Sequence, residues 1–436
     1  MNKLLSATIL ALAFTACTQK PANHPNQQFN KLAEEYVRLG LYIGQYDAAF
    51  VDAYYGPDSL RPDTNLKVAT FPKDSLLAAI KNLSDRVTAF AGAQKNDTLA
   101  GRANWMQLQL NAFARRVHIF SNEFVPFEQE CKDLFGVTPP QYPEDHFKSL
   151  VAQLDSLLPG KGNRNERFQQ LANRFIISKD RLDTVFKTAI AECRKRTLKY
   201  FQLPQGESFE LEFVNNKPWN GYNWYKGNYH STIQINTDLN IFIERAIDVG
   251  SHESYPGHHV YNMLLEKNLY RDKGWVEISL YPLFSPQSFI AEGTANYGIE
   301  MAFPGNEKVK FASEVLLPLA GLDTTGITLY FKALEIKGKL NYVRNEVARG
   351  LLNNTMAEAT GMQMLMDYAL FNKETAAKSI AFIKANRSYV INYNYGMDLA
   401  KEFIEKRAGN STDKRWEVFG WILSNPVTPA QLAQQQ

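Results

Sequence analysis

Apolar residues recur at helical spacing through the first two hundred residues of the chain. Leu32, Tyr36 and Leu39 share one face of a predicted amphipathic helix over residues 29–50. The acidic and aromatic stretch 52–58 interrupts this pattern and predicts a packed turn that could line a pocket. Helices of ordinary length joined by short loops predict a scaffold of antiparallel helices. The further helices predicted here cover residues 74–93, 98–121, 144–158, 163–175 and 180–202.

The pattern changes near Leu203. Residues 209–214 and 231–236 alternate between apolar and polar side chains, which predicts two strands. The aromatic and glycine-rich residues 217–227 between them are predicted to form a loop. An edge strand can bind an extended peptide through its main chain, so Gln234 and Asn236 are candidates for substrate contact. A hairpin with a purely structural role is the alternative.

Helical periodicity returns over residues 240–267, 284–303 and from 306 to 424. Together the patterns predict a mainly α fold, with a small antiparallel β-sheet beside the helix at 240–267. We expect one domain over 29–436, with a helical scaffold half at 29–202 and a second half at 203–436.

The N-terminus has the features of an export signal. Residues 1–16 combine Lys3 with a short apolar run, too short to span a bilayer comfortably. Cys17 directly follows this run and is predicted to carry a lipid, with residues 17–28 as a flexible tether. Ordinary cleavage near Ala16 is the alternative. We therefore expect a lipoprotein anchored to a bacterial cell envelope, facing the periplasm or the cell exterior.

Composition excludes several function classes. The 436 residues are 45% hydrophobic and 21% charged, which is typical of a folded protein with a large core. The formal net charge is +3 and no run of lysine or arginine occurs, so the sequence does not predict nucleic-acid binding. The cysteines number three, too few for a disulfide framework, although Cys131 and Cys193 could pair.

One short stretch concentrates metal-binding chemistry. Residues 250–259 contain three of the chain's seven histidines and a glutamate. Two imidazoles and a carboxylate are typical ligands of catalytic zinc, and Glu253 next to His252 could act as a general base. In the familiar H-E-x-x-H spacing the second histidine follows four residues after the first, but Pro256 is there in this chain. Helical rotation of about 100° per residue favours His259, whereas a break at Pro-Gly could bring in His258 instead.

The wider pattern resembles a known family. H-E-x-x-P-G-H-H followed by A-E-G-x-A at residues 291–295 resembles a large bacterial family catalogued as domain of unknown function 885, which is itself similar to the gluzincin metallopeptidases. The resemblance covers most of the chain and implies a gluzincin-like helical scaffold that binds one zinc ion. It implies His252, His258 and Glu292 as the ligands and Glu253 as the base. His259 then becomes a neighbour of the centre.

Further residues are candidates for supporting roles. Asp248 lies one helical turn before His252 and could accept its second N–H, as an outer acceptor usually does at a metal-bound histidine. Glu300 lies two turns after Glu292 on the same face. The Y-x-x-G pattern at 393–396 resembles a late motif of the family and implies Tyr393 as the oxyanion donor, with a buried structural tyrosine as the alternative. Arg387 could pair with a substrate carboxylate.

These residues predict a zinc-dependent hydrolase of peptide or other amide bonds that acts outside the cytoplasm on a peptide or small amide. Another divalent ion is an alternative to zinc. An esterase on the same metal and a non-catalytic metal-containing lipoprotein are the alternative functions. Glu253 favours an enzyme, because a structural metal site has no use for a base beside its ligand.

Overall fold

A computed structural model describes residues 25–63, 69–217 and 219–434. The predicted signal peptide at 1–16, Cys17 and the tether up to residue 24 lie outside the described residues.

The first half of the chain forms the predicted helices. In α2, Leu76, Ile80 and Leu83 are buried at the spacing of one helical face. The first helix ends six residues earlier than predicted, and a helix that the periodicity did not predict begins at Phe127 and ends before Gly136, which has φ of +75°. The helices are α1 Pro25–Gly44, α2 Lys73–Ala93, α3 Asp97–Phe120, α4 Phe127–Phe135, α5 Glu144–Leu157, α6 Arg164–Ala172 and α7 Leu182–Thr197.

The described residues form two small sheets. Strand β1 (Val51–Tyr54) pairs antiparallel with β5 (Leu280–Pro282). The second sheet has the order β2–β4–β3, with β2 Ser208–Val214, β3 Gly221–Gly227 and β4 His230–Asn236. β4 runs antiparallel to β3 and parallel to β2, so this sheet is mixed.

The predicted loop at 217–227 is wrong for most of its length, because residues 221–227 form β3. Asn223 and Tyr225 of β3 are buried, while Trp224 between them is half-buried, which is the alternation of a strand. A two-residue turn with positive φ at Asn228 and Tyr229 joins β3 to β4.

The second half returns to helices, and the mainly α prediction is confirmed. Its helices are α8 Ile243–Glu253, α9 His258–Leu265, α10 Pro286–Ala302, α11 Glu307–Phe311, α12 Leu317–Ala320, α13 Ile327–Leu340, α14 Val343–Leu352, α15 Glu358–Tyr368, α16 Lys373–Asn386, α17 Ile391–Ala408, α18 Thr412–Leu423 and α19 Pro429–Ala433. Within the described residues, no helix has both the length and the apolar character needed to cross a membrane. Cys131 and Cys193 are each buried as free thiols.

Helix α10 lies at the centre of this half. It is buried almost all round, as expected of a helix enclosed by others. α17 crosses it where Gly293 meets Gly396, and a Cβ added at Gly293 would overlap the backbone of Gly396. The two glycines therefore let the helix backbones touch, and side chains on either side of the crossing point come within reach of each other.

Candidate metal centre

The two histidines come from either side of a helix break. His252 lies in the last turn of α8, and His258 is the first residue of α9. Between them, a Cβ at Gly257 would overlap the carbonyl oxygen of His252, so the tight return of the chain requires glycine. The imidazole rings of His252 and His258 meet edge to face, with centroids 4.5 Å apart.

Glu292 of α10 completes the cluster. Its Oε2 lies 3.2 Å from Nε2 of His252 and 3.7 Å from Nε2 of His258. Ligand atoms of the three residues all lie within 4.8 Å of one another. Tetrahedral zinc with bonds of about 2.0–2.1 Å places its ligand atoms roughly 3.3 Å apart, so a small adjustment would fit the ion. The structure thus brings together the three residues predicted as ligands.

The oxygen that faces the histidines lacks a partner. Glu292 Oε2 is buried and has no hydrogen-bond partner among the described residues, although Nε2 of His252 is 3.2 Å away. A buried carboxylate oxygen without a donor is costly unless a cation binds it. This orphaned oxygen, with two imidazole nitrogens beside it, fits a divalent cation.

The charges of the cluster depend on one another. Burial alone would raise the pKa of Glu292, but the imidazoles of His252 and His258 beside its carboxylate hold that pKa well below its usual range. Burial alone would lower the pKa of His258, but Glu292, Glu253 and Asp52 raise it to about 9. Without a metal, protonated His258 therefore neutralises part of the negative charge of the neighbouring carboxylates. A histidine must be neutral to bind a metal, so a divalent ion would replace this proton.

Two residues outside the predicted set hold the cluster in place. His252 Nδ1 lies 2.9 Å from the side-chain oxygen of Asn296, whose amide nitrogen donates to the carbonyl of Tyr393 at 2.8 Å. With the proton on Nδ1, the lone pair of Nε2 points at the centre. The hydroxyl of Tyr389 donates to Glu292 Oε1 at 2.9 Å, which leaves Oε2 free. Asn296 directly follows the A-E-G-x-A motif, and Tyr389 lies four residues before the Y-x-x-G motif. Their roles depend on geometry that spacing alone does not give.

Three predicted supporting roles are wrong. Asn296, and not Asp248, accepts from His252, because Asp248 pairs with Lys308 at 3.2 Å. Glu300 binds Lys401 at 2.8 Å and does not support the cluster. Arg387 binds the buried carboxylate of Glu130 at 2.8 Å, so its charge is already neutralised and is not available to a substrate.

The predicted peptide-binding strand is also wrong. Gln234 and Asn236 lie on β4, the central strand, whose main chain is paired on both sides. The side chain of Asn236 donates to the carbonyls of Lys217 and Trp219, so it fixes the segment before β3. An extended peptide could add only at the outer edges, which belong to β2 and β3.

His259 lies apart from the cluster. It is fully buried, with Nδ1 2.8 Å from Oγ of Ser231 and Nε2 3.2 Å from Glu207. This serine–histidine–glutamate chain has the order of a hydrolase triad, but Ser231 is itself fully buried in β4 and cannot meet a substrate. The chain instead ties β4 and the segment before β2 to α9. The helical arithmetic that favoured His259 fails because the helix breaks before that residue.

Three polar groups face the cluster without belonging to it. The carboxylate of Glu253 makes no hydrogen bond with a described residue, and burial raises its pKa. Gly221 of β3 lies against it, since a Cβ there would be 3.0 Å from Glu253 Oε1. The Tyr393 side chain is half-buried beside Tyr389, with ring centroids 5.7 Å apart, and its hydroxyl makes no hydrogen bond within the described residues.

Asp52 is the third group, and it belongs to the stretch 52–58 that the sequence indicated could line a pocket. It lies on β1, in the stretch predicted as a turn, and accepts a hydrogen bond from Tyr222 of β3. Burial raises the pKa of Asp52 to about 6, and its charge acts on His258, Glu292 and Glu253. The carboxyl groups of Glu292, Glu253 and Asp52 therefore lie close together, and their combined negative potential favours a bound cation.

The chain was compared with family models, curated proteins and solved structures, and only the solved structures gave matches. No family model matches the chain, and no curated protein matches it, so the resemblance to domain of unknown function 885 stays a prediction. A candidate lipoprotein from Colwellia psychrerythraea is similar in structure, with a TM-score of 0.52 and 13% identity over 83% of this chain and 68% of that one. At this identity the likeness shows a shared fold and nothing more.

Two looser likenesses extend over similar lengths. A candidate lipoprotein of unknown function from Shewanella oneidensis has a TM-score of 0.47 and 12% identity, over 83% of this chain and 71% of that one. The M32 carboxypeptidase of Deinococcus radiodurans R1 has a TM-score of 0.44 and 11% identity, over 94% of each chain. At these TM-scores neither likeness supports a conclusion about this chain.

Fold and site together define a mainly α protein with a histidine–histidine–glutamate cluster that fits a divalent metal ion.

Proposed function

We propose that this protein is a metal-dependent hydrolase of peptide or other amide bonds, with zinc as its ion. The observation that carries the proposal is the unpartnered Oε2 of Glu292, which faces Nε2 of His252 and of His258. The carboxylate of Glu253, which follows His252 in sequence, forms no hydrogen bond with a described residue. Two imidazoles and one carboxylate are the ligand set of many catalytic zinc sites.

Each residue then has a role. His252, His258 and Glu292 hold the ion, which when bound supplies Lewis acidity and lowers the pKa of water. Glu253 takes a proton from the attacking water and returns it to the departing amine. Its raised pKa suits this exchange, because a base works best when its pKa lies near the working pH. The Tyr393 hydroxyl, free of partners among the described residues, donates to the oxyanion that develops at the carbonyl.

The predicted cell-envelope location belongs to the same proposal. A signal at residues 1–16 and a lipid on Cys17 would place the enzyme outside the cytoplasm, anchored to a membrane. The lipoprotein description of the structural neighbour from Colwellia psychrerythraea supports this location.

A single substitution tests the mechanism. Glu253→Gln keeps the size of the side chain and removes the base, so we expect the variant to retain one zinc per chain and to lose turnover of a mixed peptide library by at least about 10²-fold. Glu210→Gln is the matched control, since Glu210 is an exposed glutamate on β2. Chelator should abolish turnover by the wild type. Equal turnover by wild type and Glu253→Gln would refute the mechanism, and turnover of esters alone would favour an esterase.

A further inference from the structure

A partly buried arginine near the centre has no anion to balance it. Arg344 lies on α14, and its Nε is shielded from solvent without a hydrogen-bond partner. Its guanidinium forms no hydrogen bond or ion pair with any residue in the described part of the chain, and it lies over the ring of Phe382, 5.5 Å from the centroid. Three buried arginines behave differently, since each binds a carboxylate: Arg102 binds Glu277, Arg116 binds Asp47 and Arg349 binds Glu346.

Ring contacts connect Arg344 to the metal centre. The ring of Phe382, over which the guanidinium lies, is 6.4 Å from that of Tyr393. Tyr393 in turn packs against Tyr389, whose hydroxyl donates to Glu292. Arg344 therefore lies on the side of the centre where Tyr393 presents its unpaired hydroxyl, and its positive charge acts on that tyrosine.

An unpaired guanidinium in this position is unfavourable by itself. Burial disfavours its charged form and lowers its pKa, yet an arginine remains charged in a protein. An unpaired charge of this kind is tolerated at a binding site, because the bound ligand neutralises it. The planar guanidinium presents paired N–H donors whose spacing matches the two oxygens of a carboxylate.

We propose that Arg344 binds a carboxylate of the substrate, so that the hydrolase acts on amide bonds with a carboxylate group nearby. The proposal rests on the hydrolase function proposed above and narrows its substrate class. A free C-terminal carboxylate and an aspartate or glutamate side chain offer the same chemistry, and the substrates described below separate them. Arg344 thus takes the role that the sequence assigned to Arg387.

Matched peptides test the proposal by turnover. Each peptide is offered as the free acid and as the C-terminal amide, and a second pair contrasts aspartate with asparagine inside an amidated peptide. For the wild type we expect a preference in kcat/KM for the carboxylate member of one pair. In Arg344→Gln that preference falls by roughly 10- to 100-fold, the usual range for a lost charge-assisted hydrogen-bonded pair. Arg174→Gln, at a surface arginine paired with the exposed Asp323, keeps the preference. An unchanged preference in Arg344→Gln would overturn the proposal.

Binding and unfolding separate this proposal from the hydrolase function. Zinc-loaded Glu253→Gln and the double variant Glu253→Gln/Arg344→Gln are titrated with the free-acid and amide peptides by calorimetry. A carboxylate preference that needs Arg344 supports the proposal even if no peptide is cleaved. Cleavage by the wild type without such a preference refutes it and leaves the hydrolase function standing.

The melting temperature of Arg344→Met adds a second criterion. Removing an unpaired buried charge keeps or raises the melting temperature of the ligand-free protein, whereas removing an arginine with a structural role lowers it. A fall of several degrees would therefore count against a ligand-binding role for Arg344.

Discussion

Tyr389→Phe removes the hydroxyl that holds Glu292 and leaves the ring in place. Tyr389 is 4% exposed, and its hydroxyl donates to Glu292 Oε1 at 2.9 Å. A hydrogen bond to a charged group contributes about 1.5–3 kcal/mol, which corresponds to roughly 10- to 150-fold in an equilibrium constant. The bond also exists without the metal, so only the part that strengthens on binding changes the affinity. We therefore expect the zinc Kd to rise by roughly 10- to 100-fold, as for other residues that orient a ligand.

Competition with a chromophoric chelator measures this change. The control is Tyr395→Phe, because Tyr395 is a half-buried tyrosine of α17 whose hydroxyl makes no hydrogen bond with a described residue. The melting temperature of each metal-free variant shows whether the fold is intact. A zinc Kd for Tyr389→Phe within twofold of the wild type, in a folded protein, would refute the view that this hydroxyl orients the ligand.

Three further predictions follow from the same geometry. Metal analysis should find that His258→Ala has lost zinc and that His259→Ala retains it. The free energy of unfolding of His259→Ala should fall by about 1–3 kcal/mol in a denaturant titration, because the substitution leaves buried partners unpaired. The reverse result would identify His259 as the ligand. Gly293→Ala should lower the free energy of unfolding by roughly 1–3 kcal/mol and weaken zinc binding, because the added methyl group forces α10 and α17 apart. A variant with the stability and zinc affinity of the wild type would contradict the close crossing of these helices. In the chelated protein, the pKa of His258 is raised from about 6.5 in the unfolded chain to about 9 in the folded protein, because the protonated imidazole lies beside Glu292. This protonated histidine stabilises the fold fully below about pH 6.5, and the stabilisation is lost as the pH rises through about 9. The melting temperature should therefore fall over this range by more than in His258→Gln, and parallel curves would contradict the pairing of His258 with Glu292.

The helices were predictable from sequence because their apolar faces follow one period over many turns. The four-residue break between α8 and α9 was visible in Pro256 and Gly257, but its effect on the two following histidines was not. Choosing His258 required the family resemblance, since helical rotation pointed to the neighbouring residue. The structure brings His258 to the cluster because α9 begins again at that residue.

The errors share one cause, which is that sequence spacing gives no information about contacts between distant segments. Asp248 is on the right face of α8, but Lys308 from another helix binds it. Arg387 lies in a polar segment, but Glu130, which is 257 positions away, neutralises it. The sequence indicated that the stretch containing Asp52 could line a pocket, but it did not connect Asp52 with the histidines. Arg344 had no local signal, because what distinguishes it is the lack of a partner among the described residues. The strand at 221–227 was missed because its two glycines and its aromatic residues are also typical of a loop.

The contact between Gly293 and Gly396 has a consequence for the order in which the centre assembles. The hydroxyl of Tyr389 is 97 positions downstream of the carboxylate that it holds, and Tyr389 lies just before α17, the helix that meets α10 at the two glycines. A nascent chain that has emerged only as far as α10 already carries both histidines and Glu292, yet Glu292 has no donor to orient it. The complete geometry of the cluster, with Glu292 oriented by Tyr389, therefore requires that the chain as far as α17 has folded onto α10.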